Sequence, residues 1–355
     1  MKAALFYGGK DIRVGEMETP VPGPDEVLVK VLSAGVCGSD LHPYRKPVTE
    51  VPANAKPRLS GHELAGEIAA LGPGVEGLRV GQRVGVEPRH LVGCGTCRWC
   101  RRGAYQLCAD LGMLNGKRVH STGFAQYSLE SADKIFQLPD TMPIEHAAIL
   151  DVYAVAVHAL QRVPVQATHN VAVIGAGPIG LAIAQVAMAA GARQVIVLDA
   201  ADPPLELATR LGCHGAVNVT QVDAPASIRD LTSGVGADVV FEAVGGNAPT
   251  LQLAAQIVAP AGTIGTVGMF QAPQSLDIWT CMRKEATLRW IWSYGLWDGV
   301  PEFQITLDMM VEGRLEVAPL ITHTFTLDRI ADAFAAADDK ASSGAVKVLV
   351  KPWEV

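Results

Sequence analysis

The chain has no surplus of positive charge. Its 29 lysines and arginines face 36 aspartates and glutamates, a formal net charge of −7 at pH 7. That balance argues against a nucleic-acid partner and against an anionic membrane surface. Charge blocks, internal repeats and low-complexity linkers are also missing, which excludes a solenoid or a polyionic tail. The opening MKAALFYGGKDIRVGE has one lysine and then five apolar or aromatic residues before Gly8-Gly9. That is too short for the core of a secretory signal, so the expected location is the cytoplasm. Long apolar runs are nearly absent. The one exception, residues 171–192, has Gln185 as its only strongly polar side chain and is long enough to imitate a membrane span. Gly175, Gly177, Pro178, Gly180 and Gly191 fall inside it, a distribution suited to a tight strand-to-helix turn in a buried core.

With 355 residues, 49% hydrophobic and 18% charged, the chain has enough material for two domains with separate cores. Residues 1–150 hold short β-like runs such as EVLVKVLSAGV and GQRVGVEP, punctuated by Gly and Pro, and read as an irregular, mainly β domain. From about Val152 the texture becomes NVAVIGAG, PIGLAIAQVAMAAGA, QVIVLDA, PLELATRLG, DVVFEAVG and GTIGTVG. Alternating βα units predict a doubly wound parallel sheet with helices on both faces. The expected divisions are 1–152, 153–290, and a return of 291–355 to the first domain.

Seven cysteines make an odd count, and a reducing compartment disfavours disulfides. Cys94, Cys97, Cys100 and Cys108 lie in GCGTCRWCRRGAYQLC, a lobe spanning residues 93–109, with gaps of two, two and seven residues between them. Such spacing lets a short loop wrap one ion, and thiolates are what tetrahedral zinc prefers. A redox centre would need an accessible CxxC on a thioredoxin-like unit, and no such context surrounds these. Four thiolates fill a tetrahedron and leave no position for a substrate. This site can staple a lobe but cannot do chemistry.

In VAVIGAGPIG, Gly175, Gly177 and Gly180 form GxGxxG between a β-run and a helix. The first glycine allows the turn, the second lets backbone amides approach a pyrophosphate, and the third permits close helix packing. Asp199 closes the next strand nineteen residues after Gly180, where a carboxylate accepts ribose hydroxyls and repels a 2′-phosphate. The expected cofactor is therefore NAD rather than NADP.

Together, GVCGSDLH, GHELAGEI, the cysteine lobe, GAGPIG with its aspartate, and GADVVFEAVG resemble the zinc-dependent medium-chain dehydrogenases over nearly the whole chain. The resemblance implies a GroES-like catalytic domain beside a Rossmann domain, two zinc ions per chain and NAD. It places Cys37 and His62 on the first two catalytic zinc ligands, and Asp151 on the third, where relatives carry Glu, Asp or Cys. Glu63 is the competing carboxylate. Ser39 falls on the hydroxyl that takes the alcohol's proton, His42 on the imidazole that passes it to solvent, and Asp40 on a group that orients a zinc-bound histidine. Pro178, Ile179, Val244, Val267 and Met269 are the further coenzyme contacts it implies. Glu145 and His146 read as surface residues, and His158 as a packing residue.

The implied reaction is oxidation of a small-molecule alcohol by a homo-oligomer, a dimer or a tetramer. A carboxylate at position 151 and Ser39 resemble the polyol and diol branch more than the primary-alcohol branch, so a polyol or vicinal diol giving a ketone ranks first. Asp151-Val152 replaces the Glu-Pro usual in polyol enzymes, Ser293-Tyr294 replaces Arg-Tyr, and Pro43 precedes Tyr44. These departures bring a broad secondary alcohol into second place, with threonine third. A non-catalytic binder of NAD and zinc is the reading from another class, and retention of Cys37, Ser39, His42, His62 and Asp199 together argues against it. In LRWIWSYGLW, alternation predicts that Trp290 and Trp292 share one side of a strand.

Overall fold

The computed structural model describes residues 1–47, 57–114 and 116–353. They form two compact units, one of residues 1–151 and 317–355 and the other of residues 152–316.

The first unit is built on the strand Glu26–Gly35. Its Val27, Val29 and Val31 are fully buried, and it pairs antiparallel with Glu63–Leu71, Tyr127–Ser131 and Lys347–Lys351. Arg83–Val86, Ile135–Gln137 and Ile321–Thr326 complete a seven-stranded sheet among the described residues. The helix Ile330–Asp338 packs Ile330, Ala333, Phe334 and Ala337 onto this sheet beside Val348, Val350 and Phe124. Each fully buried Val, Ile or Phe contributes about 1.5–3 kcal/mol. The cysteine lobe is tied to the body of the unit by a buried polar group. Tyr105 Oη donates to Glu87 Oε1 at 2.8 Å, while Lys134 Nζ donates to the same oxygen at 2.5 Å and lies 3.9 Å from the Tyr105 ring centroid.

The second unit is a parallel sheet, among the described residues, in the order Gly215–Asn218, Gln194–Asp199, Asn170–Ile174, Ala237–Glu242, Val258–Thr266, Thr287–Trp290. Numbered in chain order this is 3-2-1-4-5-6, the Rossmann arrangement. Asn170–Ile174 is buried at every residue, as a strand covered on both faces must be. The apolar run 171–192 is this strand, a turn and the helix Pro178–Ala189. No helix among the described residues is long and apolar enough to cross a membrane.

The chain rejoins the first unit at Val317, later than the expected 291. Residues 291–316 stay because their side chains are committed to the second unit. Tyr294 and Phe303 are buried there with ring centroids 6.1 Å apart, and the buried Glu302 carboxylate accepts from Gly295 N–H at 2.7 Å. His158 Nδ1 lies 2.8 Å from the same carboxylate, so this histidine holds a buried polar pair rather than merely filling space. The edge strand stops at Trp290 and Ser293 turns at φ +54°, so Trp292 lies beyond the strand on which alternation had put it.

Candidate active site

Three neighbouring strands of the first unit assemble the candidate metal centre. Gly35 pairs with Glu63 on one side and Leu349 on the other, which brings the loop after Gly35, the start of Glu63–Leu71 and Lys347 together. A Cβ on Gly35 would lie 2.1 Å from Glu63 Oε2, so any larger residue there would displace that carboxylate from its place. Ligand atoms of Cys37, His62 and Glu63 lie within 4.8 Å of one another. Cys37 caps the short helix Gly38–Tyr44, which carries Ser39, Asp40 and His42, and its N–H donates to Asp40 Oδ2 at 3.0 Å. Asp40 thus fixes the loop that carries the cysteine, and burial raises its pKa.

Burial disfavours a charge on His62, but the Cys37 sulfur, Asp40 and Asp151 outweigh it and hold the imidazole well above its ordinary pKa. A soft sulfur, an imidazole and hard carboxylates crowded together are a donor set that suits zinc, and a divalent cation would relieve their mutual repulsion. Asp151, in the first turn of the helix Leu150–Arg162, is buried and close enough to act electrostatically on both His62 and Lys347. It is not within the tight set that Glu63 joins. Glu63, in turn, is engaged elsewhere. Lys347 Nζ donates to its two oxygens at 2.8 and 2.6 Å, and both side chains are buried. Deleting either partner of such a pair costs about 3–5 kcal/mol. Burial and Arg45 lower the His42 pKa, which leaves its ring neutral near pH 7.

Sequence reasoning missed Lys347, whose only signal was a lysine inside the apolar run AVKVLV. It also missed His90 and His120. The His90 ring meets His62 edge-on with centroids 5.4 Å apart, and His120 follows 6.2 Å beyond. Burial, then His62 and His120, pull His90 down to about 3.

The four lobe sulfurs also lie within 4.8 Å of one another. Backbone amides point at them, Cys97 N–H to Cys94 Sγ at 3.3 Å and Cys100 N–H to Cys97 Sγ at 3.5 Å. The Thr96 hydroxyl and the backbone amides of Cys97 and Thr96 lower Cys94 to about 6, a preparation for thiolate. The donor set fits a structural zinc.

In the second unit the candidate coenzyme cradle lies at the carboxyl ends of Asn170–Ile174 and Ala237–Glu242, where the strand order reverses. Gly175 has φ +102°, and a Cβ on Gly180 would lie 1.8 Å from Gly175 O, so both positions need glycine. Gly177 caps the helix that begins with Pro178, Ile179 and Gly180, and a Cβ there would meet nothing within 4 Å. Open space against unpaired helix amides fits a pyrophosphate. Asp199 closes its strand with Oδ2 accepting from Ala176 N–H at 2.7 Å and Oδ1 from Ala201 N–H at 3.0 Å. These bonds aim the carboxylate and leave lone pairs for hydroxyl donors. Val244, after Ala237–Glu242, is exposed; after the neighbouring strand Val258–Thr266, Val267 is half-buried and Met269 exposed. Glu242 holds this rim, a role the sequence reading did not assign. Its Oε1 accepts from Val244 N–H at 2.9 Å, Gly245 N–H at 2.8 Å and Thr250 Oγ1 at 2.9 Å.

Residues 23–140 match the alcohol dehydrogenase GroES-like domain family, and residues 178–312 the zinc-binding dehydrogenase family. Sorbitol dehydrogenase of Bacillus subtilis is 33% identical over 99% of this chain and 97% of its own length. A short chain alcohol dehydrogenase from Escherichia coli CFT073, solved in complex with NADH, is 31% identical with a TM-score of 0.87, covering 99% of both chains. Galactitol-1-phosphate dehydrogenase from Escherichia coli is 32% identical with a TM-score of 0.86, covering 99% of this chain and 100% of that one. The chain belongs to the zinc-dependent medium-chain dehydrogenases. It is an alcohol or polyol dehydrogenase of the zinc type, an enzyme that works with a nicotinamide dinucleotide.

Proposed function

We propose that the enzyme oxidises a secondary alcohol of the polyol or vicinal-diol type to a ketone, with NAD as acceptor and two zinc ions per chain. The observation that carries this is the clustering of Cys37, His62 and a carboxylate on the same loop system as Ser39 and His42. When bound, zinc and NAD supply polarisation of the alcohol oxygen and acceptance of hydride. The protein does the rest. Cys37, His62 and Asp151 hold the catalytic ion, and Lys347 keeps Glu63 at its edge. The Ser39 hydroxyl accepts the alcohol's proton while passing its own toward neutral His42, which releases it to solvent. Asp40 keeps the Cys37 loop in place. Cys94, Cys97, Cys100 and Cys108 hold the second ion. Sorbitol and galactitol-1-phosphate, after which two of the relatives are named, are polyols with secondary hydroxyls and support placing polyols first. Across a panel of alcohols with NAD, polyols and diols should give the highest kcat/KM, simple 2-alcohols less and threonine least. Highest efficiency on primary alcohols, with polyols inert, would overturn the substrate reading.

Asp199 is the residue for coenzyme choice. Asp199→Ala should weaken NAD binding about tenfold or more and reduce discrimination against NADP, measured as Kd for each dinucleotide. A wild type that uses NADP as readily as NAD would contradict this role.

We also propose that the enzyme works as a homo-oligomer. Trp290 ends an edge strand 63% exposed, and Trp292 is 52% exposed just beyond it. An apolar sheet edge of this kind suits a second copy of the chain.

A further inference from the structure

The histidine line from His62 leads to a cluster of positive charge that the proposed chemistry does not use. Three backbone segments of the first unit lie side by side there. Gly123 N–H donates to Gly61 O at 2.7 Å, and Phe124 N–H to Ser60 O at 3.2 Å. Arg89 N–H donates to Ser121 Oγ at 3.0 Å, Gly112 N–H to Val92 O at 2.9 Å, and Val119 N–H to Gly112 O at 2.9 Å. The first segment carries Arg58 and His62, the second His90, and the third Arg118 and His120. The rings start at a metal ligand and step outward by 5.4 and 6.2 Å to the exposed His120. Arg118 stands two residues before His120, and Arg58 lies on the neighbouring segment that Gly123 and Phe124 bond; after burial, both charges lower the His120 pKa.

Both arginines are exposed, and among the described residues neither has a carboxylate within ion-pair distance. Four other arginines of the unit are ion-paired, Arg13 with Asp11, Arg45 with Asp338, Arg89 with Glu26 and Arg329 with Asp332, and what sets Arg58 and Arg118 apart is that they share one histidine as neighbour. In a chain of net charge −7, two unpaired guanidiniums gathered at the outer end of a line of imidazoles make a local positive potential. A guanidinium fork matches the oxygens of a carboxylate or a phosphate, and a neutral imidazole offers a donor and an acceptor to a hydroxyl.

We propose that the substrate is a polyhydroxylated alcohol ending in an anionic group, phosphate or carboxylate. Its reacting carbinol sits at Cys37 and His62, its hydroxyls lie along His90 and His120, and its anion is held by Arg58 and Arg118. The inference rests on the dehydrogenase reading and narrows it. Two ring spacings between carbinol and anion disfavour threonine and 2-hydroxy acids, in which the carboxylate lies next to or one carbon from the hydroxyl.

The test compares hexitols, their terminal phosphates and the matching hexonates in each stereochemical series, using the zinc-replete enzyme and NAD. Calorimetry with the same compounds gives a readout apart from turnover. The phosphate or the carboxylate series should exceed the neutral hexitols in kcat/KM by about tenfold or more, with an advantage that shrinks as salt rises. Which anion is preferred identifies the source. In the R58Q/R118Q double variant, the anionic substrate's KM and Kd should rise about tenfold, kcat should stay close to wild type, and neutral alcohols should be unaffected. R58K/R118K should recover part of the loss. Neutral hexitols turned over as efficiently as both anionic series, or a double variant with unchanged KM and Kd for the anion, would overturn the proposal while leaving the dehydrogenase reading intact. Anion binding that depends on both arginines, with no alcohol reducing NAD, would keep the anion site and remove the dehydrogenase reading.

Discussion

Replacing His62 by alanine should lower kcat/KM for the alcohol by about 10³-fold or more, because Lewis-acid stabilisation is worth several kcal/mol and each 1.4 kcal/mol is tenfold in rate. The change also removes the imidazole whose positive charge Cys37, Asp40 and Asp151 favour. The fold should persist. His62 lies at the mouth of the strand Glu63–Leu71, whose pairing with Glu26–Gly35 depends on backbone and on Leu64 and Ile68, not on the ring. NADH affinity should be unchanged, since the cradle of Gly175, Gly177, Gly180 and Asp199 belongs to the other unit. Steady-state kinetics, coenzyme titration and metal analysis on one preparation check all three. Turnover within tenfold of wild type would show that His62 does not hold the catalytic ion.

Cys97→Ser should behave in the opposite way, with a large loss of stability. A serine at 97 removes one of four sulfurs, and with it the acceptor of the Cys100 amide. A structural zinc site contributes folding energy directly, so its loss should lower Tm by about 10 °C, measured by calorimetry beside the zinc content. The effect should reach beyond the lobe, because Tyr105 in the lobe shares Glu87 with Lys134 of the body. A Tm equal to wild type with one zinc missing would mean that the lobe is not a staple.

The contrast between the two variants follows from which features a sequence can carry. The lobe was legible because all four donors fall within one short loop, so spacing alone specifies the ligand set. The turn that shapes the candidate coenzyme cradle was legible for the same reason. Its glycines and Asp199 sit on consecutive elements of one βα unit, and the turn has a known physical need for each. The metal centre needed a resemblance, because Cys37 and His62 approach only through the pairing of Gly35 with Glu63. Lys347 was invisible, since its bond to Glu63 spans 284 residues and a lysine in an apolar strand has no local signature. The same holds for His90 and His120, which line up with His62 only where three loops meet. Polar partners also decided where residues 291–316 belong. Glu302 and Tyr294 are ordinary in the sequence and become informative only once His158 and Phe303 are beside them. Asp151 and Glu63 are two carboxylates for one position in the sequence, and Lys347, the partner that holds Glu63, is the residue that was missed.

Zinc content per chain of the purified, active wild-type enzyme, measured beside that of Cys37→Ser, addresses the division into a stapling ion and a catalytic ion most directly. The account predicts two zinc ions in the wild type, and one in Cys37→Ser, with the lobe intact, Tm nearly unchanged and alcohol oxidation lost. One zinc in the active wild type, or a Cys37→Ser protein that keeps two ions and its turnover, would contradict it.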